Sequence, residues 1–160
     1  TETQAVANAD VTGDGTIDSD DLTKHARYVG GIIGYVERKD STVTSSNLEN
    51  TANINGADYV GGIFGTLINK YGSSSAKTQL SDFRNSGNVS GKSNVGGMIG
   101  ECYAKTKLFI IDFVNTGTVN GTSIVGGIVG NCYGYKDSYI QDSSTTSGNL
   151  CGKTENVTIN

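Results

Sequence analysis

The stretch "NSGNVSGKSNVGGMIG", residues 85–100, decides how this chain is read. It joins a turn-rich phrase to a glycine-rich apolar one. Both halves return in the same order as "NTANINGADYVGGIFG" at residues 50–65 and "NTGTVNGTSIVGGIVG" at 115–130. A further VGGxxG begins at Val29, so the phrase starts at Val29, Val60, Val95 and Val125, at intervals of 31, 35 and 30. Four occurrences at one phase are an internal repeat, and repeats must be sought before any other motif.

Each repeat holds short β-type runs such as "LFIIDFV" and "IVGGIVG", separated by glycine and Asn-Ser/Thr-Gly clusters of the kind that turns need. Strands that short cannot bury a core alone. Stacked at equivalent positions they bury a common one and pair their backbones. The expected fold is therefore all-β: a single domain over residues 1–160, a parallel β-solenoid (β-helix) of about four coils.

Equivalent positions then form columns. Leu48, Phe83 and Phe113 are expected to point inward, while Asn50, Asn85 and Asn115 form a turn column that bonds along the stack and tolerates left-handed backbone. Val36, Leu67, Cys102 and Cys132 share a column, which leaves two outcomes for the cysteines: a disulfide across adjacent coils or small buried thiols. Aligning the tail "TSGNLCGKTEN" with the turn-rich phrase puts Cys151 beside Asn55, Ser90 and Asn120, at the surface or an edge. Tyr103 and Tyr133 share a column too. Asp82 and Asp112, three residues before the turn asparagines, read as turn chemistry rather than a matched acid and base.

Size and composition exclude some functions. The chain has 160 residues, 23 glycines, no proline, 12 Lys and Arg against 16 Asp and Glu, and a net charge of −4. There is no basic stripe, so nucleic acid is not expected as a partner. No run of 18 apolar residues offers a membrane span. Three scattered cysteines and one histidine, His25, make a poor zinc set. The VGGxxG glycines do not read as a phosphate loop, because no helix pattern follows them and they occur four times.

The first repeat differs from the rest. Three residues separate the turn phrase from VGG elsewhere, but fifteen separate "DVTG" from the first VGG. The extra segment, within residues 10–31, carries Asp10, Asp14, Asp18, Asp20 and Asp21 and no base before Lys24. Counted from Asp10, oxygen side chains fall at loop positions one, three, five, nine and twelve: Asp10, Thr12, Asp14, Asp18 and Asp21. Gly15 stands at the sharp turn of position six, Thr16 offers its carbonyl at seven, and Ile17 is an apolar anchor at eight. That is EF-hand grammar, with Asp in the final place, and it calls for Ca2+. "DDLTKHARYV" then reads as a short helix with a thin apolar stripe of Leu22, Ala26 and Val29.

Two resemblances follow. The four VGGxxG copies, over residues 28–131, resemble the GLUG motif of secreted and surface bacterial proteins. This implies an extracellular or cell-surface location and a repeat architecture, with no catalytic residue. "DVTGDGTIDSDDLT", Asp10 to Thr23, with Arg27 and Tyr28, resembles one calcium-binding repeat of a type I dockerin. This implies Ca2+ held by Asp10, Thr12, Asp14, Thr16, Asp18 and Asp21, and cohesin contacts at Ser19, Asp20 and Arg27. Dockerins carry two such repeats and this chain one; Lys24 and His25 stand where their helix usually has leucine. The resulting expectation is a non-enzymatic, calcium-stabilised module acting in adhesion or structural assembly. Its partner would be a protein or glycan surface or another copy stacked end to end into a filament. A cohesin-binding module and a polysaccharide-active β-helix enzyme are the alternatives. The calcium loop and helix are expected to cap the exposed end of the first coil.

Overall fold

The computed structural model describes residues 27–39, 42–70, 75–141 and 150–159. Every regular element among them is a strand. The first repeat gives β1 (Val29–Gly30), β2 (Ile33–Arg38), β3 (Thr42–Asn50) and β4 (Ile54–Asn55). The second gives β5 (Asp58–Gly61), β6 (Phe64–Asn69), β7 (Lys77–Asn85) and β8 (Val89–Ser90), and the third β9 (Ser93–Gly96), β10 (Ile99–Ala104), β11 (Lys107–Asn115) and β12 (Val119–Asn120). After β13 (Ser123–Gly126) the pattern simplifies to two long strands, β14 (Val129–Gln141) and β15 (Cys151–Ile159).

All pairing is parallel and runs from one repeat to the next. Val29 pairs with Val60, Val60 with Val95, and Val95 with Val125. Val36, Leu67, Cys102 and Cys132 line up as expected, and so do Leu48, Phe83 and Phe113. One sheet runs β1-β5-β9-β13 and a small one β12-β8-β4. The largest follows β2-β6-β10-β14-β11-β7-β3, with β15 on β14. It turns back on itself at β14, whose first half pairs β10 and whose second half pairs β11.

Two apolar clusters fill the space between the sheets. The larger contains Ile63, Leu67, Leu80, Phe83, Met98, Ile99, Leu108, Ile110, Phe113, Ile128 and Ile140, with Cys102 and Cys132. The smaller joins two facing columns, Val29, Val60, Val95 and Val125 on one sheet and Ile54, Val89 and Val119 on another, with Val60, Val89 and Val95 fully buried. Alternating in-and-out side chains along β7, β10 and β11 produce the burial, as the period of two requires.

The glycines of VGGxxG do more than punctuate. A Cβ on Gly61 would sit 2.7 Å from the Gly100 nitrogen and the Met98 oxygen; one on Gly96 would sit 2.7 Å from the Gly130 nitrogen and the Ile128 oxygen. On Gly100 it would lie 2.5 Å from Val60 N, and on Gly130 2.7 Å from Val95 N. These are backbone atoms, closer than real Cβ contacts come. The first and last glycines of the phrase therefore let the β5 and β9 backbones lie directly on the strands that follow them.

Two local expectations shift. Val29 and Gly30 form β1 and Arg27 and Tyr28 lie in a turn, so the last three residues of the helix read over residues 20–29 are not helical, and Val29 belongs to the sheet rather than to the apolar stripe; residues 20–26 lie outside the described residues. Left-handed backbone falls in two other columns: Asn47, Asp82 and Asp112, three residues before the asparagines, with φ of 57°, 56° and 53°, and Tyr59, Asn94 and Ile124, each one residue before a VGG, with φ of 53°, 51° and 54°. The first column bends the long strands β3, β7 and β11 midway, where short Asx side chains tolerate the conformation; in the second, Tyr59 and Ile124 adopt it as well.

Candidate functional site

The asparagine column is the best-defined polar feature. Asn50 Nδ2 donates to Asn85 Oδ1 at 2.7 Å, and Asn85 Nδ2 to Asn115 Oδ1 at 2.9 Å. Each side chain also closes its own turn: Asn50 Nδ2 to Ala52 O at 2.8 Å, Asn85 Nδ2 to Gly87 O at 2.7 Å and Asn115 Nδ2 to Gly117 O at 3.1 Å. The ladder is seated against the middle glycine of each VGG. A Cβ on Gly31 would fall 2.7 Å from Asn50 Cγ, on Gly62 2.6 Å from Asn85 Cγ, and on Gly97 2.6 Å from Asn115 Cγ. The two phrases of the repeat are thus halves of one lock. Both halves recur in phase in the sequence, which is the signal that could have joined them.

The metal ligands read from the sequence, Asp10, Thr12, Asp14, Thr16, Asp18 and Asp21, lie outside the described residues, as do Ser19 and Asp20. Among the described residues no group of three or more His, Cys, Asp or Glu side chains is placed to hold a metal ion. Arg27 is described, at the edge of the first repeat. Its guanidinium lies 5.6 Å from the Tyr28 ring centre and 5.8 Å from that of Tyr59, a cation–π arrangement. Tyr28 stacks on Tyr59 at 5.1 Å and meets Tyr35 edge-on at 5.1 Å. The Tyr35 hydroxyl donates to Glu37 at 2.8 Å, and Lys70 pairs with Glu37 at 3.0 Å. The bond to Glu37 raises the Tyr35 pKa, while the contacts from Lys70 and then Tyr35 lower that of Glu37.

On the same sheet Tyr35, Thr66, Glu101, Asn131 and Lys153 form one register column, exposed at Tyr35 and Lys153 but fully buried at Thr66. Glu101 is half-buried; burial raises its pKa, and the hydrogen bond from Asn131 at 3.1 Å opposes that. In the neighbouring column Tyr103 and Tyr133 stack with centroids 4.5 Å apart and planes 12° from parallel. Their faces are turned to each other, which leaves edges and hydroxyls outward.

The cysteines are free thiols, all buried. Cys102 and Cys132 sit in register on β10 and β14. Cys151 is not where the tail alignment puts it: it pairs with Val129, in the Phe64–Ile99–Val129 column, and is 9% exposed. "LCG" therefore repeats the end of "VGGIVG", with Gly152 following Gly130, rather than the turn phrase. The similarity of "SGNLCG" to "SGNVSG" is what misled the reading. The Cys151 thiol donates to Lys153 O at 3.3 Å; its nearness to Cys132, then burial, pushes the Cys132 pKa far up. Burial does the same for Cys102. Thiols held neutral in a core are poor nucleophiles.

Asp82 and Asp112 occupy the left-handed bends described above. Their repetition has a backbone cause that asks for no catalytic pairing. With this geometry in view, comparison with known proteins adds no relative: no family model, no curated protein and no solved structure matches the chain.

Proposed function

We propose that this chain is a parallel β-solenoid of about four coils carrying an EF-hand-like calcium loop in its first, and that it works as a non-enzymatic adhesion or assembly module of a secreted or cell-surface bacterial protein. The observation that carries the solenoid reading is the residue-for-residue parallel register of successive repeats, Val29 on Val60 on Val95 on Val125. Such a stack presents long columns of side chains. The stacked Tyr103 and Tyr133, with Glu101 and Asn131 beside them, form a flat polar-aromatic surface.

The calcium reading rests on the order of residues from Asp10 to Asp21. Four carboxylates, Asp10, Asp14, Asp18 and Asp21, would converge on one hard cation, with Thr12 and the Thr16 carbonyl completing the oxygen set. Calorimetric titration with Ca2+ tests it: one site is expected, lost in Asp14→Asn together with Asp18→Asn, and a chelator should lower the melting temperature. Absence of heat with unchanged melting would remove calcium from the account. Turnover of acidic polysaccharides by the purified chain would overturn the non-enzymatic reading.

A further inference from the structure

Stacking favours like residues, as in the ladder of Asn50, Asn85 and Asn115. The column Tyr35, Thr66, Glu101, Asn131 and Lys153 breaks that rule, with a different residue in every layer. Its last three members are an acid, a carboxamide and an amine, on the neighbouring strands β10, β14 and β15, with Asn131 in the middle. Parallel register sets successive members about 4.8 Å apart.

The surroundings of the acid and the amide are shielded. Asn131 Nδ2 donates to Glu101 Oε1 at 3.1 Å, so the carboxylate already holds that nitrogen. The stacked rings of Tyr103 and Tyr133 stand beside the pair on the same two strands. On the other side of Glu101, Thr66 is fully buried, and its hydroxyl has no hydrogen-bond partner among the described residues. Glu101 is half-buried and its pKa is raised by burial, which suits a group that must take up a proton and release it. Lys153 is exposed and lies on the open side of Asn131, where an amine can approach and ammonia can leave.

We propose that Lys153 and Asn131 join through an isopeptide bond, with Glu101 carrying the proton, so that β15 is fastened covalently to β14. Lys153 Nζ attacks Asn131 Cγ. The Cγ–Nζ bond forms and the Cγ–Nδ2 bond breaks. Glu101 passes a proton from Nζ to Nδ2, and the nitrogen departs as ammonia, which leaves as ammonium with the proton that Lys153 sheds on becoming a free amine. The step consumes no oxidant, metal or second substrate. It depends on neither the calcium nor the adhesion reading.

Intact mass of the purified chain tests the link. Loss of one ammonia should lower the mass by about 17 Da. Trypsin should then return residues 108–136 joined to 137–160, uncut at Lys153. Lys153→Arg and Asn131→Ala should both run at full mass. Glu101→Gln should slow the loss by about a hundredfold or more, the scale of a lost proton carrier. Lys153→Arg is also the background in which the stability of Glu101→Gln is read, since neither chain then carries the link. Full mass in the wild type, with circular dichroism showing the chain folded, would overturn the link. A loss that survives in Lys153→Arg would overturn it in favour of ring closure at Asn55-Gly56 or Asn120-Gly121. A Glu101→Gln chain that links as fast as the wild type would overturn the role given to Glu101.

Discussion

Ile63 and Met98 are fully buried, whereas Ile32, at the same place in the first repeat, is 43% exposed. The residues are of one kind and their strands pair in one register, so the difference is not written in them. It comes from neighbours: among the described residues an interior repeat has a layer on each side, and the first has one. Burial here is a property of the stack, as expected for a structure in which each unit contacts only the next. The asparagine ladder behaves alike. Asn85 both donates to Asn115 and accepts from Asn50, while among the described residues Asn50 Oδ1 accepts locally, from the Ala52 nitrogen at 3.3 Å.

This contrast can be broken by mutation, most sharply at the middle glycines. Gly97→Ala places a methyl against Asn115 and the Gly127 backbone with layers on both sides, and should cost about 3 kcal/mol or more. Gly31→Ala meets Asn50 and the Gly62 backbone, but its layer can shift outward, and about 1 kcal/mol is expected. Urea unfolding of the two variants reads the difference, and equal losses would mean that the end layer is as confined as the middle.

A smaller contrast should appear in the apolar column. Ile63→Ala removes a fully buried side chain and should cost about 2–5 kcal/mol. Ile32→Ala, measured without calcium, should stay within about 1 kcal/mol. A cost for Ile32→Ala equal to that of Ile63→Ala would contradict the contrast.

The smallest effect concerns Glu101 in the third repeat. Its folded pKa is raised by burial, so the folded state holds its proton more tightly than the unfolded one. Stability from this group therefore falls as pH rises from the unfolded carboxyl value through the folded one. Glu101→Gln should raise the urea midpoint at about pH 7 and leave it nearly unchanged at about pH 3. A midpoint lowered at neutral pH would mean that the bond from Asn131 outweighs desolvation.

Much of the fold was legible because the repeat fixes register: aligning the VGGxxG phrases places Cys102 on Cys132 and Phe83 on Phe113 without further information. Parity along a strand then says which side chains enter the core. What could not be read was contact across sheets. A glycine that lets two backbones touch looks in sequence like a glycine that turns, and only coordinates show Gly62 against Asn85. The left-handed bend is similarly hidden, since Asn47 and Asn50 are the same residue type and only the backbone shows that the bend sits at Asn47. Cys151 was misplaced because a six-residue similarity at the tail outweighed the register of β15 on β14. At the candidate site, Arg27 was singled out as a partner contact, and the tyrosines that engage it were not. The metal loop is legible in its residue order alone.

The account turns on the lock between the asparagine ladder and the middle glycines, and the side-chain amide of Asn85 reports on it directly. Its Nδ2 is bonded to Gly87 O and Asn115 Oδ1 in a residue that is 2% exposed. In a nuclear magnetic resonance spectrum those amide protons should exchange only with global unfolding and show cross-peaks to the Gly62 α-protons. Exchange at the rate of a free side-chain amide, with no contact to Gly62, would contradict the stacking described here.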